Sequence, residues 1–211
     1  MYVSQSVRAS FSVCRYNILM SEQRKQASSS NINKLAKKPR RLHIGGKRAH
    51  PEWEIFDAIK RENVDHVGDA ADLSRFKNGE FQTIYASHVL EHFPYLRQLV
   101  PTLQEWRRVL ADNGQMLISV PDMDILCRMF LEKDKLTLDQ RYHVMRMMFG
   151  GQSNQYDFHY AGLNLEILQK LAKQAGLKVQ RRVKRFGIFP DHSSYRYAGE
   201  LISLNVVLVK T

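Results

Sequence analysis

Short apolar segments alternate with longer amphipathic segments from residue 41 to the end of the chain. Short apolar runs that stop at glycine, proline, aspartate or another small residue are typical of buried strands. Such runs predict strands at residues 41–46, 64–69, 81–87, 115–120, 179–183 and 201–209. Helices are predicted at residues 96–110, 124–133, 137–149 and 165–175, the first and last with apolar residues at three- and four-residue steps. Strands that alternate with helices predict an α/β domain with a mainly parallel sheet and helices on both faces.

One segment, residues 51–63, fits two structures. Pro51 can begin a helix, whereas residues 53–58 can form a strand that stops at Asp57. Only about seven residues separate Gly46 from this strand, which is shorter than the usual crossover of ten or more residues. A full helix therefore does not fit between the first two strands if the second one begins there.

The positive charge is concentrated near the start of the chain. Of the formal net charge of +11, a net of +8 lies in residues 1–41, where nine lysines and arginines accompany one acid, Glu22. The segment is rich in serine, so residues 1–38 are expected to be flexible and to precede a single domain at residues 39–211. Residues 2–19 lack the continuous apolar core of an export signal or membrane span, which favours a cytoplasmic location, and Met20 is an alternative start.

Glycines and acids follow the first predicted strands. Gly45 and Gly46 follow the first one, where the lack of side chains lets the backbone approach a ligand, although such a pair also makes an ordinary turn. Asp57 and Asp69 follow later strands; carboxylates accept hydrogen bonds from ribose hydroxyls and from an adenine amino group, and they also cap helices. Because ligands bind at the carboxyl ends of strands in open α/β sheets, the set favours an adenosine-containing ligand. The full G-x-G-x-x-G fingerprint is missing, which disfavours an NAD-dependent sugar enzyme.

Two histidines four residues apart, His88 and His92, flank a carboxylate in the run SHVLEHF at residues 87–93. On a helix they would share one face. No further metal ligand can be assigned to this run from the sequence, so no metal site is predicted. The two cysteines, Cys14 and Cys127, have no paired spacing, which argues against a disulfide framework and a zinc site.

The order of these motifs resembles the class I S-adenosyl-L-methionine (SAM)-dependent methyltransferases, in particular predicted methyltransferases often linked to polysaccharide or sugar modification. The matching pieces are LHIGG at residues 42–46, VGDAADL at 67–73, YASHVLEHF at 85–93, EWRRVL at 105–110 and ISVPD at 118–122. The resemblance continues through residues 150–152 and 157–162 to the last strand. Their order and spacing are far more specific than any single piece.

This resemblance implies a Rossmann-like class I methyltransferase fold, with a mainly parallel seven-stranded sheet, an antiparallel last strand and helices on both faces. It implies SAM as the cofactor and a small-molecule or saccharide acceptor that the sequence does not identify. The cofactor-binding residues that it implies are Gly45 and Gly46 at the methionine part, Asp57 at the ribose, Asp69 and Ala70 at the adenine, and Ser87 and His88 at the pocket floor. If residues 51–63 are helical, Asp69 takes the ribose role and Asp57 has none.

The catalytic demands follow from the cofactor. The sulfonium of SAM is already electrophilic, so the protein mainly has to align the acceptor and exclude water, and a metal is not required. A hydroxyl acceptor also calls for a general base, a task that suits a histidine. The candidates are His92, His88 and His159, the last of them in a region, residues 156–160, that is expected to form part of a lid over the substrate.

The sequence departs from the family pattern at three positions. His43 stands where an acid is frequent, Lys47 replaces the third glycine of the loop, and Gln82 replaces an acid. These changes leave open a SAM-binding protein without catalysis. The basic leader and the run RRVKR at residues 181–185 leave open a nucleic-acid methyltransferase, although the remainder of the chain is nearly neutral.

Overall fold

A computed structural model describes residues 38–211, and its centre is a seven-stranded sheet. The strands of the sheet are β1 (Arg41–Ile44), β2 (Glu54–Asp57), β3 (His66–Val67), β4 (Phe81–Ser87), β5 (Leu110–Pro121), β6 (Leu177–Val183) and β9 (Ser203–Lys210). Their order is β3-β2-β1-β4-β5-β9-β6, and β9 is antiparallel to both of its neighbours while the pairs from β3 to β5 are parallel. The expected mainly parallel sheet with an antiparallel last strand is therefore confirmed.

The helices lie close to their expected positions. They are α1 (Leu99–Val109), α2 (Met123–Leu131), α3 (Leu138–Phe149) and α4 (Leu165–Gln174), with 3₁₀ turns at Leu90–His92 and His192–Ser194 and a small hairpin of β7 (Arg196–Tyr197) and β8 (Glu200–Leu201). Helix α3 begins at a capping box in which Thr137 and Gln140 bond each other's backbone N–H groups. The strand expected at residues 115–120 is longer at both ends, because pairing with β4 begins at Leu110.

Residues 51–63 contain strand β2, so the strand alternative is confirmed and the helix alternative is wrong. Strand β2 pairs in parallel with β1, with Leu42 opposite Glu54 and Ile44 opposite Phe56. The connection between these two strands contains no helix and instead turns at His50, whose carbonyl accepts a hydrogen bond from the backbone N–H of Trp53. A parallel pair normally requires a longer crossover, so the helix that usually covers this side of the sheet is missing.

One face of the sheet carries the main hydrophobic core. Side chains of β1, β4 and β5 that point to this face pack against α1 and α4, around the fully buried Trp106. The indole N–H of Trp106 also donates to the carbonyl oxygen of Ala70 at 2.8 Å. This bond joins α1 to the loop that follows β3 and holds that loop in place beside the ends of the strands.

An irregular segment covers the other face at its centre. Phe186, Ile188 and Phe189 pack on Trp53 of the β1–β2 connection and on Tyr85 of β4. The Tyr85 hydroxyl donates to Asp191 at 2.6 Å, and burial together with this bond raises its pKa. Aromatic side chains of this segment thus occupy the side of the sheet from which the first crossover helix is missing.

His43 is enclosed by these aromatic residues. Its ring centroid lies 4.0 Å from that of Phe189 and 4.9 Å from that of Tyr85, and the residue is 5% exposed. Burial lowers the pKa of His43 to about 4, although nearby carboxylates including that of Asp191 act in the opposite direction. The folded protein therefore holds this imidazole in its neutral form.

This burial predicts an acid-sensitive stability. Between pH 6.5 and pH 4 the unfolded chain binds a proton at His43 that the folded chain does not, so the free energy of unfolding falls as the pH decreases, by about 3 kcal/mol. We expect the variant His43→Leu to lose less stability than the wild type over this range in urea titrations followed by circular dichroism. All other titratable groups are the same in the two proteins, so the difference between them reports on His43. Parallel losses in the two proteins would contradict a neutral, buried His43.

Several expectations concern residues outside the described part. The expectations of a flexible segment at residues 1–38 and of an alternative start at Met20 concern residues before the described part, apart from residue 38 itself, and so does the expectation about Cys14. All three remain expectations. None of the helices between residues 38 and 211 combines the length and the apolar character that a membrane span requires.

Candidate functional site

The candidate site lies where the order of the strands reverses. In sequence, β1 to β3 progress toward one edge of the sheet, whereas β4 and β5 progress toward the other. The carboxyl ends of β1 and β4 therefore meet at the topological switch point, where open α/β sheets bind their ligands. Gly45 and Gly46 follow β1, and Ser87 and His88 lie at the end of β4. The structure thus brings four of the residues assigned to the cofactor to the switch point.

The glycine pair is required by close packing. Gly45 has a φ of +74°, and a Cβ atom there would lie 2.5 Å from Cγ2 of Val89; a Cβ on Gly46 would lie 2.8 Å from Nδ1 of His43 and 2.9 Å from Cδ1 of Ile55. Any other residue would collide with these side chains. The glycines therefore bring the loop close to the residues after β4, and the space that a Cβ would fill is already occupied by the protein itself.

Asp57 lies at the carboxyl end of β2, beside this loop. Its Oδ1 accepts a hydrogen bond from the backbone N–H of Ile59 at 2.7 Å, and its Oδ2 pairs with Nη2 of Arg61 at 2.7 Å. The same Arg61 nitrogen lies 3.4 Å from the carbonyl oxygen of Gly46. Arg61, which the sequence did not single out, thus ties the carboxylate to the glycine loop.

Asp69 and Ala70 lie in the next loop, after β3. The backbone N–H of Gly68 donates to the carbonyl oxygen of Asp57 at 3.1 Å, which holds this loop against the end of β2. Asp69 is exposed, and its Oδ1 accepts from the backbone N–H of Ala71 at 2.9 Å. The carboxylate of Asp57 at the end of β2 and that of Asp69 in the loop after β3 therefore both lie at the carboxyl ends of neighbouring strands.

Ser87 contributes a hydroxyl without a partner. Its Oγ is buried and makes no hydrogen bond among the residues that the structure describes. A buried hydroxyl that lacks a partner is costly, and a bound ligand can supply one. The next residue, His88, has a left-handed φ of +54°, and its backbone N–H donates to the carbonyl oxygen of Ser119 at 2.9 Å.

The three candidate bases converge on one buried carboxylate, Glu91. Oε1 of Glu91 lies 3.6 Å from Nδ1 of His88 and 3.9 Å from Nε2 of His159, and the rings of His92 and His159 are 4.8 Å apart. Glu91 is 1% exposed, and neither of its carboxylate oxygens has a hydrogen-bond partner between residues 38 and 211. We call these four residues the Glu91 cluster.

The cluster is closed by the segment that carries His159. The backbone N–H groups of Tyr160 and Ala161 donate to the carbonyl oxygen of Glu91 at 2.8 and 3.2 Å, and the carbonyl oxygen of Phe158 is 2.9 Å from Nδ1 of His92. These bonds dock the segment on the 3₁₀ turn at Leu90–His92. The region expected to form part of a lid therefore lies directly against the 3₁₀ turn.

Burial sets the protonation of the Glu91 cluster. It raises the pKa of Glu91 to about 8, because the charged carboxylate has lost its water. Burial, followed by repulsion from His92, lowers the pKa of His159 to about 4, and burial also lowers the pKa values of His88 and His92. At neutral pH the three imidazoles are neutral and each retains a nitrogen lone pair.

The remaining contacts of His88 position it between the cluster and β9. Its Nε2 lies 2.8 Å from the hydroxyl of Ser203, which itself donates to the carbonyl oxygen of His192 at 2.7 Å. The imidazole is therefore held at Nε2 by Ser203, while its Nδ1 faces Glu91 without a hydrogen bond. Neither Ser203 nor His192 was predicted, since nothing in the sequence places β9 beside β5.

Solved structures share this fold at low sequence identity. The 1,6-didemethyltoxoflavin-N1-methyltransferase of Burkholderia thailandensis, solved with 1,6-didemethyltoxoflavin and S-adenosylhomocysteine, is 13% identical with a TM-score of 0.51, and the match covers 100% of this chain and 93% of that one. The PH0226 protein of Pyrococcus horikoshii OT3 is 16% identical with a TM-score of 0.50, over 99% and 92% of the two chains. At these identities the likeness concerns the fold.

A third structure is longer than this chain. The trans-methyltransferase CalH, solved with S-adenosylhomocysteine, is 14% identical with a TM-score of 0.49, and the match covers 82% of this chain and 51% of that one. The chain thus spans about half the length of that protein. A search of curated protein sequences gave no significant match.

A family profile matches most of the chain. The profile describes a methyltransferase domain, and it aligns with residues 15–181, which include the glycine loop, both carboxylates at the strand ends and the Glu91 cluster. The agreement between this alignment and the strand order of the sheet means that the chain belongs to the methyltransferase domain family.

Proposed function

We propose that the protein is a SAM-dependent methyltransferase that methylates a small-molecule or saccharide acceptor, most simply in the cytoplasm. The observation that carries this proposal is the meeting of the glycine loop, Asp57 and Ser87 at the switch point of the sheet. The family supports methyl transfer, and two of the solved structures with this fold contain S-adenosylhomocysteine.

The residues at the switch point fit the cofactor. The partnerless hydroxyl of Ser87 can bond a polar group at the pocket floor, and the carboxylate of Asp57 has lone pairs left for ribose hydroxyls. Gly45 and Gly46 would border the methionine part, His88 would lie with Ser87 at the pocket floor, and Asp69 with Ala70 would border the adenine. When bound, SAM supplies an electrophilic methyl group, which leaves alignment and proton transfer to the protein.

Arg61 has to be accommodated in this arrangement. Its guanidinium pairs with the Asp57 oxygen that is not bonded to Ile59. A carboxylate oxygen accepts more than one hydrogen bond, so ribose hydroxyls can share Asp57 with Arg61. The pair orients Asp57 toward the loop at Gly46, which favours acceptance of hydroxyl donors.

Exposed aromatic side chains suggest where the acceptor binds. Tyr156, Phe158 and Tyr160 are 38–50% exposed, and the rings of Phe158 and Tyr160 stack at a centroid distance of 6.5 Å. They lie next to His159, at the edge of the Glu91 cluster. Flat aromatic faces bind apolar rings and the C–H faces of sugars, so this surface fits an aromatic or saccharide acceptor.

The Glu91 cluster lies on the acceptor side of the proposed cofactor site. A hydroxyl acceptor must lose a proton as the methyl group is transferred, and the neutral imidazoles of His92, His88 and His159 can accept it. The hydrogen bond between Nδ1 of His92 and the carbonyl oxygen of Phe158 requires the proton on Nδ1, so the lone pair is on Nε2. The buried position of His159 and the docked segment exclude water from this region.

Calorimetric titration tests the cofactor before any acceptor is known. We expect SAM and S-adenosylhomocysteine each to bind the full chain with one site, whereas NAD gives no heat beyond dilution. A folded protein that binds neither SAM nor its demethylated product would overturn the proposal. Binding of SAM without formation of S-adenosylhomocysteine in any metabolite mixture would instead favour the alternative of a SAM-binding protein that has lost catalysis.

The alternative of a nucleic-acid methyltransferase rests on the basic run at residues 181–185. Its Arg182 is paired with the buried Asp122 at 2.9 Å, which leaves less of the run available for phosphates. A gel shift with RNA and DNA at increasing salt, on the full chain, distinguishes this alternative, because specific binding would persist at a salt concentration that removes nonspecific contacts.

A further inference from the structure

The Glu91 cluster has the donor set of a metal site. One carboxylate oxygen of Glu91 and one ring nitrogen each of His92 and His159 all lie within 4.8 Å of one another, without an ion between them. Three donors at such separations can contact one central ion after small rotations of the side chains. His159 is the third ligand, and the sequence could not assign it because it is remote from the run at residues 87–93 in the chain.

The carboxylate of Glu91 independently indicates a missing partner. Both of its oxygens are buried and neither has a hydrogen-bond partner between residues 38 and 211. Buried polar groups without a hydrogen-bond partner are costly, and a coordinated metal ion is one way in which proteins provide the partner. Its Oε1 lies 3.6 Å from Nδ1 of His88 and 3.9 Å from Nε2 of His159, neither of which donates a hydrogen bond to it.

The hydrogen bond of His92 fixes its tautomer. Its Nδ1 is bonded to the carbonyl oxygen of Phe158 at 2.9 Å, which leaves Nε2 with the lone pair. Histidines that bind metals almost always donate their other ring N–H to a carbonyl or carboxylate in this way. The docked segment therefore does two things: it provides His159 and it fixes the tautomer of His92.

We propose that Glu91, His92 and His159 bind one divalent transition-metal ion, with Zn²⁺ as the reference ion. Two imidazoles and one carboxylate are ligands of Zn²⁺ and of other first-row ions such as Fe²⁺ and Co²⁺, whereas Mg²⁺ and Ca²⁺ favour all-oxygen sites. Three protein ligands leave at least one coordination position open, as in catalytic rather than structural sites. The ion would give the buried oxygens of Glu91 the partner that they lack.

The site also has a consequence for catalysis, which rests on the proposed function. A metal-bound hydroxyl loses its proton far more readily than a free one, so the ion would bind and activate a hydroxyl acceptor. The lone pairs of His92 and His159 would then be used for coordination. His88, which lies 3.6 Å from Glu91 and contacts Ser203, would be the histidine that remains to accept the proton.

Cobalt titration of the full chain without an affinity tag tests the site. After treatment with a chelator, the protein is titrated with Co²⁺ while the visible absorption of the bound ion is recorded. We expect one Co²⁺ per chain, displacement by Zn²⁺, and no displacement by Mg²⁺. We expect Glu91→Gln and His159→Asn to weaken Co²⁺ binding at least about 100-fold, since removal of even an outer contact costs 10- to 100-fold.

The matched control is His143→Asn, a half-buried histidine of α3 that contacts Tyr197 outside the Glu91 cluster. It should bind Co²⁺ like the wild type. Glu91→Gln keeps the shape of the side chain, and circular dichroism of each variant shows that it is folded. Absence of a bound-cobalt spectrum in the wild type, or equal affinity in all four proteins, would overturn the metal site.

Titration of the same protein samples with SAM separates this inference from the proposed function. Cobalt binding without SAM binding supports the metal site and contradicts the proposed function. SAM binding without cobalt binding contradicts the metal site alone. Since His143→Asn leaves both sites intact, it is expected to behave like the wild type in both titrations.

Discussion

His92→Asn is expected to lower the rate of methyl transfer by about 10²- to 10⁴-fold, the range for loss of a group that handles the transferred proton. The amide nitrogen of asparagine can take the place of Nδ1 and keep the hydrogen bond to the carbonyl oxygen of Phe158. Nε2 and its lone pair are lost. The measurement is the initial rate of S-adenosylhomocysteine release from SAM, with a mixture of small-molecule metabolites as the source of acceptor.

The affinity for SAM separates the role of His92 from a general loss of structure. His92 lies beyond Ser87 and His88, so His92→Asn should change the dissociation constant of SAM by less than about threefold. His92→Gln is the matched variant, because its amide can replace Nε2 but not Nδ1. If both variants retain the wild-type rate, His92 neither accepts the proton nor contacts the acceptor.

Asp57→Asn is expected to weaken binding of SAM and of S-adenosylhomocysteine by the same factor, about 10- to 100-fold. A hydrogen bond to a charged group contributes about 1.5–3 kcal/mol, and the asparagine amide can accept at only one atom. The factor is equal for the two compounds because they share the ribose and differ only at the sulfur. Calorimetric titration of both compounds measures it.

The control for this variant is Asp134→Asn, an exposed aspartate in the connection between α2 and α3, which carries none of the residues of the candidate site. It removes the same charge and should leave both affinities unchanged. A larger loss for SAM than for S-adenosylhomocysteine would mean that Asp57 acts on the sulfonium charge and not on the ribose. Unchanged affinity for both would remove Asp57 from the site.

The sequence predicted the fold well because the strands are short, apolar and punctuated by glycine, proline or aspartate. The strand Phe81–Ser87 was predicted at its exact bounds, and the helix boundaries differed by only a few residues. The segment at residues 51–63 was ambiguous because a single turn of apolar residues fits a strand and a helix equally well. Only its pairing with β1, a contact that periodicity does not report, distinguishes the two.

The site was predicted only as far as it depends on positions at the ends of strands. Gly45 and Gly46 could be found because they follow a recognisable strand, and Ser87 because it ends one. Asp57 could be assigned only under the strand alternative for residues 51–63. The Glu91 cluster could not be assembled, since His159 contacts it through a docked segment whose position depends on backbone bonds to Glu91. The predicted roles of all these residues in binding SAM stay predictions until the titrations are done.

The second face of the sheet is covered by residues that come late in the described chain. Phe186 and Phe189 cover Tyr85, and β9 inserts between β5 and β6, so β6 cannot join the sheet before β9 is available. During synthesis, β5 must therefore remain an open edge until β9 has left the ribosome. Such late, long-range pairing predicts slow folding and a nascent chain that depends on chaperones to avoid aggregation.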